Sequence, residues 1–340
     1  VLSGPAAECV ADWGAGDRET AVVPLLRADK PEPRTFLTGL AQAWTHGTPV
    51  RWPMSPRPVD LPTYPFQHQT FWLHHTPASS PGHPLLGETV ELADGGGTVL
   101  GGRISLRAQP WLGGHAPAGQ PLLSGSVYVE LAVRAGDAVG CACVEELTLE
   151  APLVLPDADE VQLQVVVEAA DPQGRRAFAV HSRVGDSGWL RHAGGILGEG
   201  APVDTAEELT AWPPPGAEPV PGTEADARAW RRGDETFAEV ALPDELRAEA
   251  ERFGLHPALL DRVLGTLDLG MPADGGEGTR MPFVWQGVTL LATGAADVRV
   301  RITRTADDTV SLLLTDPSGR TVLSAPVLVA RQVTPEQLSG

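Results

Sequence analysis

The chain has 340 residues, 25 of them Lys or Arg against 44 Asp or Glu, for a formal charge of −19. That excess of negative charge excludes a surface built for nucleic acid or anionic lipid, both of which need clustered cations. With 42% hydrophobic residues and nine Trp, the chain can bury a substantial core, which excludes wholesale disorder; its length suggests about two domains.

The first residues, Val1-Leu2-Ser3-Gly4, read as a cut made inside a longer polypeptide. Phe36, Leu37, Leu40 and Trp44 fall at helical spacing and predict a helix over Thr35 to Thr45, stopped by His46-Gly47. A proline-studded aromatic stretch follows, with Tyr64, Phe66, Phe71 and Trp72 close together and His74-His75 at its polar end. Linkers are poor in aromatics, so this stretch predicts an extended strap packed on neighbouring protein. From His83 to about Gly200 the pattern is strands around one buried helix, Leu122 to Val133. The strands are predicted over Glu160 to Glu168, Arg176 to Arg183 and Trp189 to Leu197. A Pro-rich break over 201–224 leads to a second apolar helix, Pro257 to Leu269. Four strands follow it: Phe283 to Ala292, Val298 to Arg304, Thr309 to Thr315 and Thr321 to Val329. Each half thus reads as one long buried helix followed by strands, an α+β arrangement of two antiparallel sheets, each wrapped around a central helix: a double hotdog.

No apolar run approaches the ~20 residues of a membrane-spanning helix, and no signal pattern opens the chain. A soluble, cytoplasmic protein under reducing conditions is therefore expected. The three cysteines are too few for a disulfide framework. Cys141 and Cys143, two apart in an apolar run, are expected on one strand face as buried thiols; a metal site would need more ligands than their neighbourhood offers. His46, His83, His181 and His192 have no acidic or thiol partner at ligand spacing.

One pair stands out by position. His115 lies just before the first buried helix, in Trp111-Leu112-Gly113-Gly114-His115, and Asp261 lies within the second, in His256-Pro257-Ala258-Leu259-Leu260-Asp261. A carboxylate on a mainly apolar helix is costly unless it is paired or at work. Solvation of Asp261 at a helix edge and a turn-capping role for His115 are the plainer alternatives.

Residues 83 to about 330 resemble the dehydratase domain of modular type I polyketide synthases. The resemblance rests on His83-Pro84-Leu85-Leu86-Gly87, Trp111 to His115, His256 to Asp261, and Met281-Pro282-Phe283-Val284-Trp285-Gln286-Gly287-Val288. Residues 1–80 resemble the end of the acyltransferase domain and the linker after it, through Leu61-Pro62-Thr63-Tyr64-Pro65-Phe66-Gln67-His68-Gln69. The domains implied are thus 1–80, an N-terminal hotdog at 83–200, a linker at 201–224 and a C-terminal hotdog at 225–335.

The resemblance implies elimination of water from a 3-hydroxyacyl chain tethered to an acyl carrier protein. His115 would take the α-proton, Asp261 would protonate the departing hydroxyl, and a backbone N–H near Gly119 would support the thioester oxygen. No cofactor or metal of the domain's own is implied, because the substrate rides on the carrier's phosphopantetheine arm. The partners implied are the carrier, neighbouring acyltransferase and ketoreductase domains of the same chain, and a second copy of the domain, with neither nucleic acid nor membrane. Three motifs depart from the family pattern. Ser124 stands where Pro is expected and Gly265 where Gln or His is expected. The Tyr-Gly-Pro-x-Phe motif, counted back from Trp230, falls on Pro219, Val220 and Thr223, with only Pro221 kept. These losses leave two alternatives to water elimination: a non-catalytic dimeric spacer, or a double-bond isomerase or pyran-forming cyclase on the same fold.

Overall fold

The structure is a computed structural model that describes residues 3–12, 21–52, 82–93, 96–116, 119–200, 209, 211–220, 228–267 and 279–333. It divides into two compact units, Val1–Trp72 and Leu73–Gly340. The first unit holds helices α1 (Ser3–Asp12) and α2 (Glu32–Thr45). Helix α2 starts three residues ahead of the predicted Thr35, because prolines occupy its opening turn, where a missing N–H costs nothing, and Glu32 suits the positive helix end. Phe36, Leu37 and Trp44, whose helical spacing marked this helix, are exposed. The aromatic strap with Tyr64, Phe66, Phe71 and Trp72 lies outside the described residues.

The second unit opens with β1 (Glu88–Glu91), β2 (Thr98–Ile104), helix α3 (Gly125–Val139) and β3 (Cys143–Leu149). Then come β4 (Val161–Val167), β5 (Arg176–Val184) and β6 (Leu190–Gly198). Its second part has β7 (Glu218–Pro219), β8 (Arg228–Arg232), β9 (Glu235–Ala241), helix α4 (Pro257–Leu264) and β10 (Thr279–Leu290). Strands β11 (Asp297–Ala306), β12 (Thr309–Thr315) and β13 (Thr321–Val333) complete it.

All these strands join one antiparallel sheet in the order β1-β2-β4-β5-β6-β3-β10-β13-β12-β11-β9-β8-β7. Read inward from its two ends, the sheet repeats itself: β1-β2-β4-β5-β6-β3 has the same order as β8-β9-β11-β12-β13-β10. Each half places its helix between the second and third strands, so the molecule is a double hotdog. The two sheets expected from the sequence are fused through the β3–β10 pairing, where Trp285 sits opposite Leu147 and both are fully buried. Alternation along the strands supplies the core, with Val161, Leu163, Val165 and Val167 from one half and Val298, Val300 and Ile302 from the other.

The helices differ from their predicted spans for local reasons. Leu122 bridges Val154, and the Leu123 N–H donates to the Leu153 carbonyl at 2.9 Å, so the chain is still extended there and α3 starts at Gly125. Helix α3 then continues past Val133 to Gly140, whose left-handed φ of 76° ends it. Helix α4 is short, ending at Leu264 before Gly265. Cys141 belongs to the turn after α3, its N–H donating to the Gly136 carbonyl at 2.9 Å, and β3 begins only at Cys143; the two thiols therefore do not share a strand face.

Candidate active site

Helix α4 is aimed by its first residues. Pro257 fits the opening turn, and the buried His256 caps the helix, its Nδ1 accepting from the Ala258 N–H at 3.2 Å. Burial pushes His256 down to about 4 against an opposing pull from Glu130, so the ring is neutral at pH 7 and carries its hydrogen on Nε2. Leu259, Leu260 and Val263 turn into the core, which leaves Asp261 half-buried at the helix edge. Although Asp261 keeps a partly accessible edge, the protein around its carboxyl is dense, and desolvation raises its pKa. The Ser126 and Ser124 hydroxyls and His115 pull the other way and do not cancel the rise.

His115 follows the 3-10 turn Pro110–Gly114 in extended conformation, and its carbonyl accepts from the Leu122 N–H at 2.9 Å. Trp111, within that turn, packs edge-on against His256 at 4.9 Å and Phe253 at 6.0 Å between ring centroids. The segment carrying His115 is thereby fixed to the residues that start α4. The His115 Nε2 is buried with no hydrogen-bond partner among the described residues, as are the hydroxyls of Ser124 and Ser126. These two serines face Asp261 from the first turn of α3 as nearby dipoles, without closing a strict hydrogen bond. Buried polar atoms are normally satisfied, and here three without a partner among the described residues act on one raised carboxyl.

A second carboxylate makes the opposite use of burial. Glu130, on α3, accepts from His83 Nε2 at 2.8 Å and the Gly254 N–H at 2.7 Å through Oε1, and from the Leu255 N–H at 3.0 Å through Oε2. His83 in turn accepts the Leu85 and Leu86 N–H groups on Nδ1. His83, without an acidic partner at ligand spacing in the sequence, finds one through the fold: Glu130 lies 47 positions away. Each helix thus sends a carboxylate to the entry of the other, Glu130 to the approach of α4 and Asp261 to the start of α3. Glu130 is fully engaged by hydrogen-bond donors, whereas Asp261 is not.

The other predicted positions fall as follows. Gly119 is exposed in a left-handed turn, φ 80°, and its N–H donates to the Ala116 carbonyl at 3.1 Å, so a thioester oxygen would have to displace that bond. Gly265 closes α4, its N–H donating to the Asp261 carbonyl at 2.9 Å. Loss of the tyrosine motif predicts a loose or collapsed segment from Pro219 to Asp226; its first two residues instead continue the sheet, Pro219 pairing with Trp230 and the Val220 N–H donating to the Ala229 carbonyl at 2.9 Å, and 221–226 lie outside the described residues. Thr223 lies outside the described residues. His192 is a buried structural histidine between the Ser182 hydroxyl at 2.8 Å and the Ala151 carbonyl at 3.1 Å. Among the described residues no group of three or more metal-ligating side chains occurs, and no helix is long and apolar enough to cross a membrane.

Comparison with known proteins bears on this geometry. A family model described as "Polyketide synthase dehydratase domain" matches residues 83–183, and one described as "Polyketide synthase dehydratase N-terminal domain" matches residues 227–340. The chain is 43% identical to polyketide synthase GfsA of Streptomyces halstedii over 369 aligned positions, covering 96% of this chain and 5% of GfsA. It is 42% identical to the pikromycin polyketide synthase component PikAII of Streptomyces venezuelae, covering 93% of this chain and 9% of that protein. The chain therefore spans a small fraction of these relatives. The alignment with GfsA is longer than the chain's 340 residues, so GfsA contains segments with no counterpart here. Among solved structures, the dehydratase domain from the terminal module of the rifamycin synthase superimposes with a TM-score of 0.68 at 43% identity, covering 73% of this chain and 96% of that one. The bifunctional dehydratase-cyclase domain in ambruticin biosynthesis gives 0.70 at 43%, covering 76% and 98%.

Proposed function

Since this chain belongs to the dehydratase domains of modular polyketide synthases, we propose that it removes water from a 3-hydroxyacyl thioester carried on the phosphopantetheine arm of an acyl carrier protein. His115 takes the proton from the α-carbon, which the thioester carbonyl makes acidic. The electrons of that C–H bond form the new double bond as the β-carbon–oxygen bond breaks, and Asp261 gives its proton to the departing hydroxyl, which leaves as water. His115 is then protonated and Asp261 ionised; a proton passed back from one to the other restores the starting state. A base and an acid poised together serve both halves of the elimination.

The observation that carries this reading is Asp261: a carboxyl whose pKa burial raises, beside a histidine whose buried Nε2 has no partner among the described residues. A raised carboxyl can be an acid near neutral pH, where an ordinary one cannot. In this reading the chain brings no cofactor of its own, residues 1–80 are the end of an acyltransferase and its linker, and the domain works as a pair beside a ketoreductase.

The test is incubation of the protein with 3-hydroxyacyl thioesters, on carrier protein and as pantetheine mimics, with mass and chromatographic detection. Loss of water is expected, and His115→Ala or Asp261→Asn should abolish it while leaving the circular-dichroism melt nearly unchanged. An isomerised or cyclised product without net water loss would establish redirected chemistry instead. A folded protein inert to every chain would leave the spacer role, which the departures at Ser124, Gly265, Pro219 and Val220 favour.

A further inference from the structure

The serine at the start of α3 is in the wrong state for its position. Serine is favoured at a helix N-cap because its hydroxyl accepts an N–H from the first turn. Ser124 occupies the N-cap of α3, yet its side chain makes no capping bond. Its hydroxyl is buried, at 4% exposure, and has no partner among the described residues. Ser126, two residues on, repeats the pattern at 1%. Two desolvated hydroxyls left without partners on one helical turn are a cost that local structure does not recover. What they share is direction: both face the Asp261 carboxyl across the contact between α3 and α4. Val127, Leu259 and Leu260, neighbours on the same two helices, are apolar and fully buried, and the polar groups that act on the Asp261 carboxyl among the described residues are these serines and His115.

We infer that Ser124 and Ser126 form a hydroxyl pair that receives the substrate oxygen handled by Asp261, and so select a chain bearing a 3-hydroxyl over one without it. The inference rests on the assignment of Asp261 as the acid. An alcohol oxygen donates once and accepts twice. Seated here, it accepts from the Asp261 O–H and one serine while donating to the other, and the same contacts hold the water that forms. A chain lacking the hydroxyl leaves all three groups buried and unmatched, and that mismatch is the source of selectivity.

The experiment avoids turnover. Amide analogues of 3-hydroxybutyryl- and butyryl-pantetheine, with nitrogen in place of sulfur, carry a far less acidic α-proton and remain intact, so calorimetry reads binding alone. Wild-type protein should prefer the hydroxy analogue by about tenfold, the net value of one well-made hydrogen bond. Ser124→Ala combined with Ser126→Ala should bring the two analogues near parity without weakening the butyryl analogue. The paired Ser→Thr variant should keep the preference. Because neither hydroxyl makes a structural bond, the alanine variant should melt at or above the wild-type temperature. A double-alanine variant that still prefers the hydroxy analogue, or a wild type with no preference, overturns the inference. Preference without thioester turnover would retain the hydroxyl pair while removing the dehydration reading, so the two fail separately.

Discussion

His256 and Asp261 sit five residues apart and are displaced by burial in opposite senses, which makes the pH dependence of stability informative at single residues. Burial holds His256 near 4 in the native state, against about 6.5 in an unfolded chain. Between those values the unfolded chain binds a proton that the native one refuses. The histidine's contribution is therefore fully present above about pH 6.5 and lost as the pH falls toward 4, by about 3 kcal/mol at most. His192, also lowered by burial, acts in the same direction. Asp261 runs the other way: its raised native pKa favours the fold below the unfolded carboxyl value, and that advantage disappears as the pH rises through the native one. Urea titrations at pH 7.5, 6 and 5 should show stability declining with acid. His256→Asn keeps an N-cap acceptor while removing the titration, so its decline should be shallower. An unchanged slope would show that His256 is not the group responsible.

At the scale of elements, Glu130 is the side chain that joins α3 to the approach of α4. Removing it strands the His83 ring and two backbone N–H groups in the interior. Glu130→Ala should therefore cost about 3–5 kcal/mol, the range for breaking a buried charged partnership, and any turnover should fall with it as Gly254 and Leu255 lose their anchor. Denaturant titration and steady-state rates on the same preparation check both. A change under 1 kcal/mol would mean that other contacts hold the junction. None of this was legible in the sequence. Strand alternation announced β4 and β11 through Val161-x-Leu163-x-Val165 and Val298-x-Val300-x-Ile302, because period two is a local property. His115 and Asp261 were marked by their places beside apolar helices and by family resemblance. The Glu130–His83 bond links positions 47 apart, and the Glu130–Gly254 bond positions 124 apart, with no periodicity to reveal either. The start of α3 was read three residues early, since Leu122-Leu123-Ser124 is apolar enough for a helix but is committed to pairing with Leu153 and Val154.

Across the whole molecule, the two halves are joined by backbone as well as by side chains. The β3–β10 seam turns two sheets into one, with Trp285 buried between Leu147 on β3 and Leu328 on β13. Trp285→Ala should remove about 3–5 kcal/mol, as large-to-small changes at buried aromatics do, and the damage should fall on the coupling of the halves. Two separable unfolding steps in urea, where the wild type shows one, is the expected signature. A single transition shifted to lower urea would mean that the seam holds without this residue.

The seam also sets a schedule for biosynthesis. Strand β3 leaves the ribosome about 130 residues before β10, a delay of roughly 7–26 seconds at ordinary elongation rates. During that interval the first hotdog can close β3 against β6 on one side only, and the opposite edge, with Val144 and Leu147 beside it, waits with its amides and carbonyls unmatched. In a nascent first half the β3 border is thus adhesive, sheltered only when the second half emerges. A ribosome that stalls or terminates in between would release a fragment prone to join its neighbours edge to edge.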